Sequence, residues 1–273
     1  MQRLTTLAIA LLFLALGAQT AQANPQTDQR LEDSRLVFES FTFLTEQSIP
    51  GWLLERAYGV VVVPRVIKGA LGIGGRGGRG VMAVRNPDGT WSNPVFVTLA
   101  GVNIGFQIGV QSTDVVLVLM SRMSVEGIAG GKVTLGADAS VAAGPVGRSA
   151  TAATDATLKA QVLSYSRNEG IFAGVALDGT VISVDNSSNV SAYGVSDILP
   201  SQILGGSPSM APAAAQAFTA SLNKATSGAA APSPAAAPAE TAPPPADPAE
   251  PGPADGATTY PMEDPEPGAP PPT

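Results

Sequence analysis

The chain has 273 residues and a net charge of −7, and it contains neither histidine nor cysteine. Histidine is the commonest general base and the commonest metal ligand, so its absence counts against an enzyme. Without cysteine the chain can form no disulfide and carry no lipid on a cysteine, so its stability must come from a hydrophobic core.

The first 23 residues have the pattern of a secretion signal. Arg3 supplies a positive charge, residues 4–16 form an apolar run, and residues 21–23 read Ala-Gln-Ala, an A-x-A cleavage site. The apolar run of about 13 residues is shorter than the ~20 that span a bilayer, which disfavours the alternative of an uncleaved anchor helix. We therefore expect export to the periplasm or the extracellular space, with Asn24 as the mature N-terminus.

Residues 28–48 are expected to form an amphipathic helix with Asp28 as its N-cap. Four apolar side chains recur along it at helical spacing, at Leu31, Phe38, Phe41 and Leu44. This face can pack against a sheet or lie in a membrane surface. Membrane-surface helices favour Lys and Arg on the polar face, whereas this polar face is acidic, so packing in the core is favoured.

The middle of the chain is predicted to form a strongly curved or closed β-sheet. Valine-rich runs are typical of buried strands, and glycine inside such runs marks bends and close backbone approach. Strands are expected over residues 60–64, 81–85, 91–97, 101–110, 115–120, 133–135, 137–143, 157–166, 171–176 and 181–185.

Two hairpins and a short helix accompany these strands. The sequence Asn86-Pro87-Asp88-Gly89 predicts the turn of the first hairpin and Asp178-Gly179 that of the second, because Asp-Gly supplies the positive φ angles of tight turns. Residues 121–129 are expected to form the helix. Glycine at every fourth position of residues 101–110 leaves one strand face bare, with room for another backbone or a ligand.

Residues 72–77 match the G-x-G-x-x-G pattern of dinucleotide sites. That pattern needs a following helix and an acidic residue about 20 positions later, whereas a predicted strand follows here, so nucleotide binding is disfavoured. The glycines are instead expected to form a flexible connection that displays Arg76 and Arg79.

The composition changes abruptly at Gly205. The last 69 residues hold 17 of the 24 prolines, together with seven acidic residues and one lysine. Such a segment buries too little apolar surface to offset its ordering entropy. Residues 205–273 are therefore predicted to be a disordered, acidic tail rich in proline and alanine, in which residues 213–224 can form a transient helix.

Positive charge is concentrated in one stretch of the chain. Six basic residues and no acidic one lie between Arg56 and Pro87, although residues 24–204 carry a net charge of −2. The planar guanidinium group donates two parallel hydrogen bonds to phosphate. The candidate lipid-binding residues are Arg65, Lys68, Arg76, Arg79 and Arg85. The alternative is that they are only solvated loop residues.

Six segments between residues 34 and 204 together have the order of a known domain. They are AYGVVVVPRV, GRGGRGVMAVRNPDGTWSNPVF, GVNIGFQIGVQSTDVVLVLMS, GKVTLGADASVAAGPVG, LSYSRNEGIFAGVALDGTVISVD and a closing AYG. This succession resembles the SYLF domain family, a lipid-binding module also found in a yeast actin-associated protein. The resemblance implies a β-rich core packed with helices and binding of anionic lipid headgroups, phosphoinositides in eukaryotic relatives. It implies no catalysis, and secreted bacterial members are the nearer comparison.

The patterns and the resemblance predict an α+β fold: a curved antiparallel sheet or partly closed barrel, a packed N-terminal helix and short peripheral helices. Its parts are expected at residues 1–23 (signal), 24–204 (SYLF-like domain) and 205–273 (tail). The predicted function is non-catalytic binding of anionic phospholipid at an envelope membrane, with no cofactor, metal or nucleic acid. The alternative is a structural or protein-interaction module whose proline-rich tail contacts the cell wall or a protein partner.

Overall fold

Two long strands that pair with each other form the frame of the protein. The computed structural model describes residues 24–43, 48–146, 159–168, 171–173, 177–207 and 210–227. They lie in one compact unit, Met1–Ser233, and the second unit, Pro234–Thr273, falls outside the described residues. The predicted signal, residues 1–23, and residues 228–273 of the predicted tail also fall outside them. None of the described helices has the length and hydropathy that a membrane span requires.

The described residues form six helices and seven strands. The helices are α1 (Pro25–Thr42), α2 (Gly51–Arg56), α3 (Arg122–Ala129), α4 (Asn186–Tyr193), α5 (Pro200–Leu204) and α6 (Ala213–Ser227). The strands are β1 (Gly59–Val84), β2 (Val95–Leu119), β3 (Lys132–Thr134), β4 (Val141–Ala143), β5 (Val162–Asn168), β6 (Ile171–Ala173) and β7 (Thr180–Val184).

All seven strands belong to one sheet, in which β2 is central. β1 pairs antiparallel with β2 from Gly59 opposite Leu119 to Met82 opposite Val95. On its other edge β2 pairs with β7 near its start and with β5 near its end. β3 pairs with β7, while β4 and β6 pair with β5. Every pairing is antiparallel except that of β4 with β5.

The sheet curls into a half-barrel because β1 bends back on itself. Its register on β2 shifts once after Val63 and once after Ala70, and bulges of this kind bend a strand and increase its twist. As a result Gly78 lies beside Val63 of the same strand, so close that a Cβ at Gly78 would stand 2.7 Å from Val63 Cγ1. The predicted α+β class, with a curved and partly closed sheet, is confirmed.

The sheet buries apolar side chains on both faces. Successive residues of β1 point to opposite sides, so Val60 and Val62 join one core while Val61 and Val63 join the other. Helices α1, α2, α4, α5 and α6 complete the first core, and α3, β3 and β7 complete the second. Burial on both faces explains why the valine run is continuously apolar rather than alternating.

The first helix packs on the sheet as predicted, but it begins one turn earlier. Three of its predicted apolar positions are buried in the first core, Leu31, Phe38 and Phe41. The N-cap is Asn24, whose Oδ1 accepts a hydrogen bond from the backbone N–H of Gln26 at 3.0 Å. The predicted cap at Asp28 is therefore wrong. Leu44 lies outside the described residues.

The glycine-rich segment is a strand, and the prediction of a flexible connection is wrong. From Gly72 to Gly80 its residues pair with β2, from Gly105 to Val97. Glycine is needed at Gly78 and Gly80, because Val63 and Val62 in the first half of β1 approach too closely to leave room for a side chain there. The same glycines that suggest flexibility in the sequence therefore allow the sheet to close.

The first predicted hairpin is confirmed and the second is wrong. At the first turn the N–H of Asn86 donates to the carbonyl of Thr90 at 2.8 Å, and Gly89 has a φ of +86°. Gly179 also has a positive φ of +71°. However, β7 lies between β3 and β2, so both of its edges are occupied and β6 pairs with β5 instead.

The folded part extends beyond the predicted boundary at residue 204. Helix α6 lies on α1, where the rings of Phe38 and Phe218 meet edge to face with their centroids 6.4 Å apart. The hydroxyl of Ser221 donates to Glu39 Oε1 at 2.7 Å. The prediction that disorder begins at Gly205 is wrong for this helix, because the proline-rich composition of the whole segment hides one short amphipathic stretch.

Candidate functional site

The structure separates the five predicted lipid-binding residues instead of gathering them into one cluster. All lie on β1 or directly after it, where successive side chains point to opposite faces. Arg65 and Arg79 line a groove beside α1, and Arg85 lines a second, larger cavity. Arg76 packs on the sheet, and Lys68 is partly exposed on the strand between Arg65 and Arg76.

The groove lies between the N-terminal half of α1 and β1 and has a volume of about 270 Å³. We call it the α1 groove. Its lining residues are Gln26, Gln29, Arg30, Asp33, Pro64, Arg65 and Arg79. Because three arginines and one carboxylate line it, the groove carries a net positive charge.

Arg65 is positioned at the α1 groove by its own backbone. It lies at the first register shift of β1 with a φ of +48°, and its backbone N–H donates to Asp114 Oδ1 at 3.0 Å. Its side chain is 68% exposed, and Nη2 lies 2.5 Å from Asp33 Oδ2. Asp33 is only 15% exposed, but the guanidinium group of Arg65 remains open to water and can bind a phosphate from the solvent side.

The other two arginines of the α1 groove differ in how they are held. Arg30 lies 5.3 Å from the ring centroid of Phe96, and its Nη1 donates to Asp185 Oδ2 at 3.0 Å. Burial acts to raise the pKa of Asp185, but hydrogen bonds from Ser188 and Arg30 contribute to lowering it to about 2. Arg79 is exposed and has no ion-pair partner among the described residues, so its guanidinium group is free to bind an anion.

Arg76 is packed on the sheet, and the prediction that a loop displays it is wrong. Directly opposite on β2, Gly101 leaves room for it: a Cβ there would stand 3.1 Å from Arg76 Cγ. Burial lowers the pKa of Arg76, and the nearby charge of Asp178 acts in the opposite direction. At this position the bare face of the glycine-rich strand is therefore covered by an arginine of the chain itself.

A cavity of about 590 Å³ opens where α2, the end of β1 and α3 meet. We call it the arginine cavity, because each of these elements contributes one arginine, namely Arg56, Arg85 and Arg122. Its polar lining includes Glu55, Tyr58 and Glu126, and its apolar lining includes Ala57, Val84, Pro87, Val125 and Leu204.

Aromatic rings hold the three arginines of this cavity. Arg56 lies over Trp52, Arg85 over Trp91 and Arg122 over Tyr58, with the guanidinium carbon 5.5, 5.6 and 6.0 Å from the respective ring centroid. Arg85 also donates to the carbonyl of Leu54 at 3.2 Å. None of the three forms an ion pair within the described part of the chain. A cation–π contact occupies no N–H donor, so donors of these guanidinium groups remain available to an anion.

Sequence patterns predict Arg85 as a site residue but not Arg56, Arg122 or Arg30. Arg56 belongs to the same acid-free stretch, and Trp52 four positions before it is a local signal, because residues at that spacing are neighbours on a helix. No local pattern connects Arg122 or Arg30 to this stretch.

The described residues hold no acidic cluster suited to a metal ion. The α1 groove and the arginine cavity instead offer N–H donors, which suit anions.

Residues 100–225 match a family model described as "Ysc84: Las17-binding protein actin regulator". The chain carries a domain of the Ysc84/SYLF family. The match confirms the resemblance to the SYLF domain family, and the secreted bacterial type stays a prediction. It also extends to residue 225, inside α6, in agreement with the packed position of that helix. By its description this is a family of binding and regulatory proteins and not of enzymes.

Relatives of the chain include proteins of yeasts and animals. Protein YSC84 of Saccharomyces cerevisiae is 39% identical over 175 residues, which are 63% of this chain and 37% of the yeast protein. SH3 domain-containing protein PJ696.02 of Schizosaccharomyces pombe is 39% identical over 185 residues, 67% of this chain and 42% of that protein. The human SH3 domain-containing YSC84-like protein 1 is 35% identical over 163 residues, which are 58% of this chain and 47% of the human protein. The matched part thus spans about a third to a half of the length of these relatives.

Proposed function

We propose that the domain binds anionic lipid headgroups at a membrane surface and catalyses no reaction. The observation that carries this proposal is the α1 groove. There Arg79 is exposed without an ion-pair partner among the described residues, and the side chain of Arg65, which pairs with Asp33, is 68% exposed. Both guanidinium groups are therefore available to a phosphate outside the protein.

The magnitude of the expected attraction suits reversible binding at a surface. Each basic residue near an anionic membrane contributes about 1 kcal/mol. Of the five predicted residues we retain Arg65, Lys68, Arg79 and Arg85 as lipid contacts, and we assign Arg76 to packing on the sheet. Attraction between exposed charges is screened beyond about 8 Å at physiological ionic strength, so binding should weaken as salt is added.

Co-sedimentation of the full chain with vesicles tests this function. We expect binding to phosphatidylglycerol vesicles, little binding to phosphatidylcholine vesicles, and a steep loss of binding with added salt. Arg65→Gln with Arg79→Gln should weaken binding. Lys132→Gln with Lys159→Gln is the matched control, because both lysines are exposed and neither lines the groove. Salt-insensitive binding, or equal binding by both double variants, would contradict the proposal.

The proposed location is the periplasm or the extracellular space, peripheral to an envelope membrane, because residues 1–23 have the pattern of a secretion signal. Mass spectrometry of exported protein tests this location. A mature terminus at Asn24 is the expected result, whereas an intact Met1 terminus on membrane-bound protein would indicate an anchor helix.

A second candidate function is protein interaction. The family description names Las17 binding and actin regulation, and LAS seventeen-binding protein 3 of Saccharomyces cerevisiae is 39% identical over 155 residues. Proline-rich segments such as residues 228–273 are recognised by aromatic grooves of binding domains. Removing residues 228–273 separates the two functions. Vesicle binding should survive the truncation, and capture of a protein partner through the tail should be lost.

A further inference from the structure

The arginine cavity has a more specific chemistry than a positively charged surface. Its three guanidinium groups come from three different elements and line one volume of about 590 Å³. We propose that this cavity binds a phosphate monoester, whose three terminal oxygen atoms can each accept from one arginine. If the monoester belongs to a lipid, this inference rests on the proposed function. If it belongs to a soluble organic phosphate, the inference is independent of that function.

The number of terminal oxygens distinguishes a phosphate monoester from a phosphate diester and from a carboxylate. Each guanidinium group presents a planar fork of N–H donors that matches the oxygens of phosphate. A phosphate diester or a carboxylate has only two terminal oxygens, so one arginine would remain without a charged partner. A monoester has three, and it carries a charge between −1.5 and −2 near pH 7, estimated from a second pKa of about 6.

The walls of the cavity indicate what is attached to the phosphate. Val84, Pro87, Val125 and Leu204 also line the cavity and make part of its wall apolar. A ligand with an apolar body beside its phosphate would cover this surface as well as the charges. Two sources fit this chemistry: the headgroup of phosphatidic acid, with its glycerol and the start of its acyl chains, and a small soluble phosphate ester.

Two glutamates act against such a ligand. Glu55 is partly exposed and Glu126 is exposed, and neither pairs with an arginine of the cavity. Both carboxylates can therefore turn towards water, but their charges still repel a bound phosphate. Neutralising Glu126 should strengthen binding, an effect that a purely structural role of these arginines would not produce.

Tryptophan fluorescence can report ligand binding in this cavity. The chain contains two tryptophans, and these are the rings beneath Arg56 and Arg85. Titration of the full chain with glycerol 3-phosphate should therefore change tryptophan fluorescence in a saturable way. Glycerophosphoglycerol, a diester with a similar polar body, should bind at least several-fold more weakly.

Variants assign the fluorescence signal to the arginines. Arg56→Gln with Arg122→Gln should weaken binding of glycerol 3-phosphate by about tenfold for each arginine removed, the effect of losing a charge-assisted hydrogen bond. Arg56→Lys with Arg122→Lys keeps the charge but loses the planar fork, and should recover only part of the affinity. Glu126→Gln should increase the affinity, and Lys132→Gln with Lys159→Gln should leave it unchanged. Circular dichroism confirms that each variant is folded.

Binding to vesicles distinguishes a lipid ligand from a soluble phosphate ester. At equal surface charge we expect the full chain to prefer phosphatidic acid over phosphatidylglycerol. Arg56→Gln with Arg122→Gln should abolish this preference and retain binding to phosphatidylglycerol, while Arg65→Gln with Arg79→Gln should weaken binding to both lipids. A fluorescence response without binding to any vesicle would overturn the proposed function and support a soluble phosphate ligand. Equal binding to both lipids without a response to glycerol 3-phosphate would overturn the monoester site.

Discussion

Gly80 lies against the carbonyl oxygen of Val62, a residue of the same strand. A Cβ added at Gly80 would stand 2.0 Å from that oxygen. The two ends of β1 also meet, because the N–H of Arg85 donates to the carbonyl of Tyr58 at 2.9 Å. In a straight strand the 14 steps from residue 65 to residue 79 would span roughly 46 Å at ~3.3 Å per residue. The closure of β1 instead brings both arginines to one groove of about 270 Å³.

Gly80→Ala should therefore destabilise the protein strongly. Overpacking costs about 1–3 kcal/mol and more where, as here, the obstacle is backbone that cannot rotate away. Gly77→Ala is the matched control on the same strand, since its Cβ would meet nothing nearer than the carbonyl oxygen of Leu99 at 3.9 Å. Guanidinium denaturation of both variants is the measurement. Equal midpoints would contradict the self-contact of β1.

Helix α6 should contribute to stability although it lies in the proline-rich C-terminal segment. Phe218→Ala removes a fully buried ring and should cost about 3–5 kcal/mol, whereas Ala220→Gln on the exposed face should have little effect. Truncation after residue 204 should lower the melting temperature more than truncation after residue 227. If the two truncated chains melt together, α6 does not stabilise the domain.

Charge reversal should affect stability differently at Arg76 and Arg79, the two arginines of the glycine-rich part of β1. Arg76→Glu places a carboxylate in a partly buried position near Asp178, so the variant should unfold at a lower temperature. Arg79→Glu changes an exposed side chain and should shift stability by less than about 0.5 kcal/mol, while weakening vesicle binding. Thermal melting together with co-sedimentation measures both effects. A stable Arg76→Glu variant would return Arg76 to the candidate lipid contacts.

The lowered pKa of Asp185 should make stability depend on pH in the acid range, because burial of the carboxylate is outweighed by hydrogen bonds from Ser188, Ser187 and Arg30. The pKa of Asp185 is lowered from 3.8 to about 2 in the folded protein. The unfolded chain therefore takes up this proton first as the pH falls, so the stabilisation is present above pH 3.8 and is lost towards pH 2. Asp185→Asn should be less stable at neutral pH and should lose less stability on acidification. Denaturation midpoints of both proteins between neutral pH and pH 2 measure this, and parallel pH profiles would contradict it.

The sequence by itself determined the class of fold and most of its elements. The buried stripe of α1, the valine-rich strands and the Asp-Gly turn after Asn86 follow from preferences of neighbouring residues, which a local pattern contains. The family likeness follows from the order of such segments along the chain. Local patterns err where a segment depends on its neighbours in space, as at the glycines of β1 and at α6. The glycine-rich part of β1 is held by its pairing with β2 and by contact with the first half of the same strand, and Phe218 is buried against Phe38 of α1.

Only the tertiary structure decided which charges act together. In a strand the side chains alternate between faces, and a single bulge reverses that alternation, so the register shifts after Val63 and Ala70 determine which basic residues share a surface. Arg56, Arg85 and Arg122 are distant along the chain and meet because the ends of α2 and β1 and the start of α3 converge at one edge of the sheet. Electrostatic attraction depends on distance in space, which the order of residues along the chain does not specify.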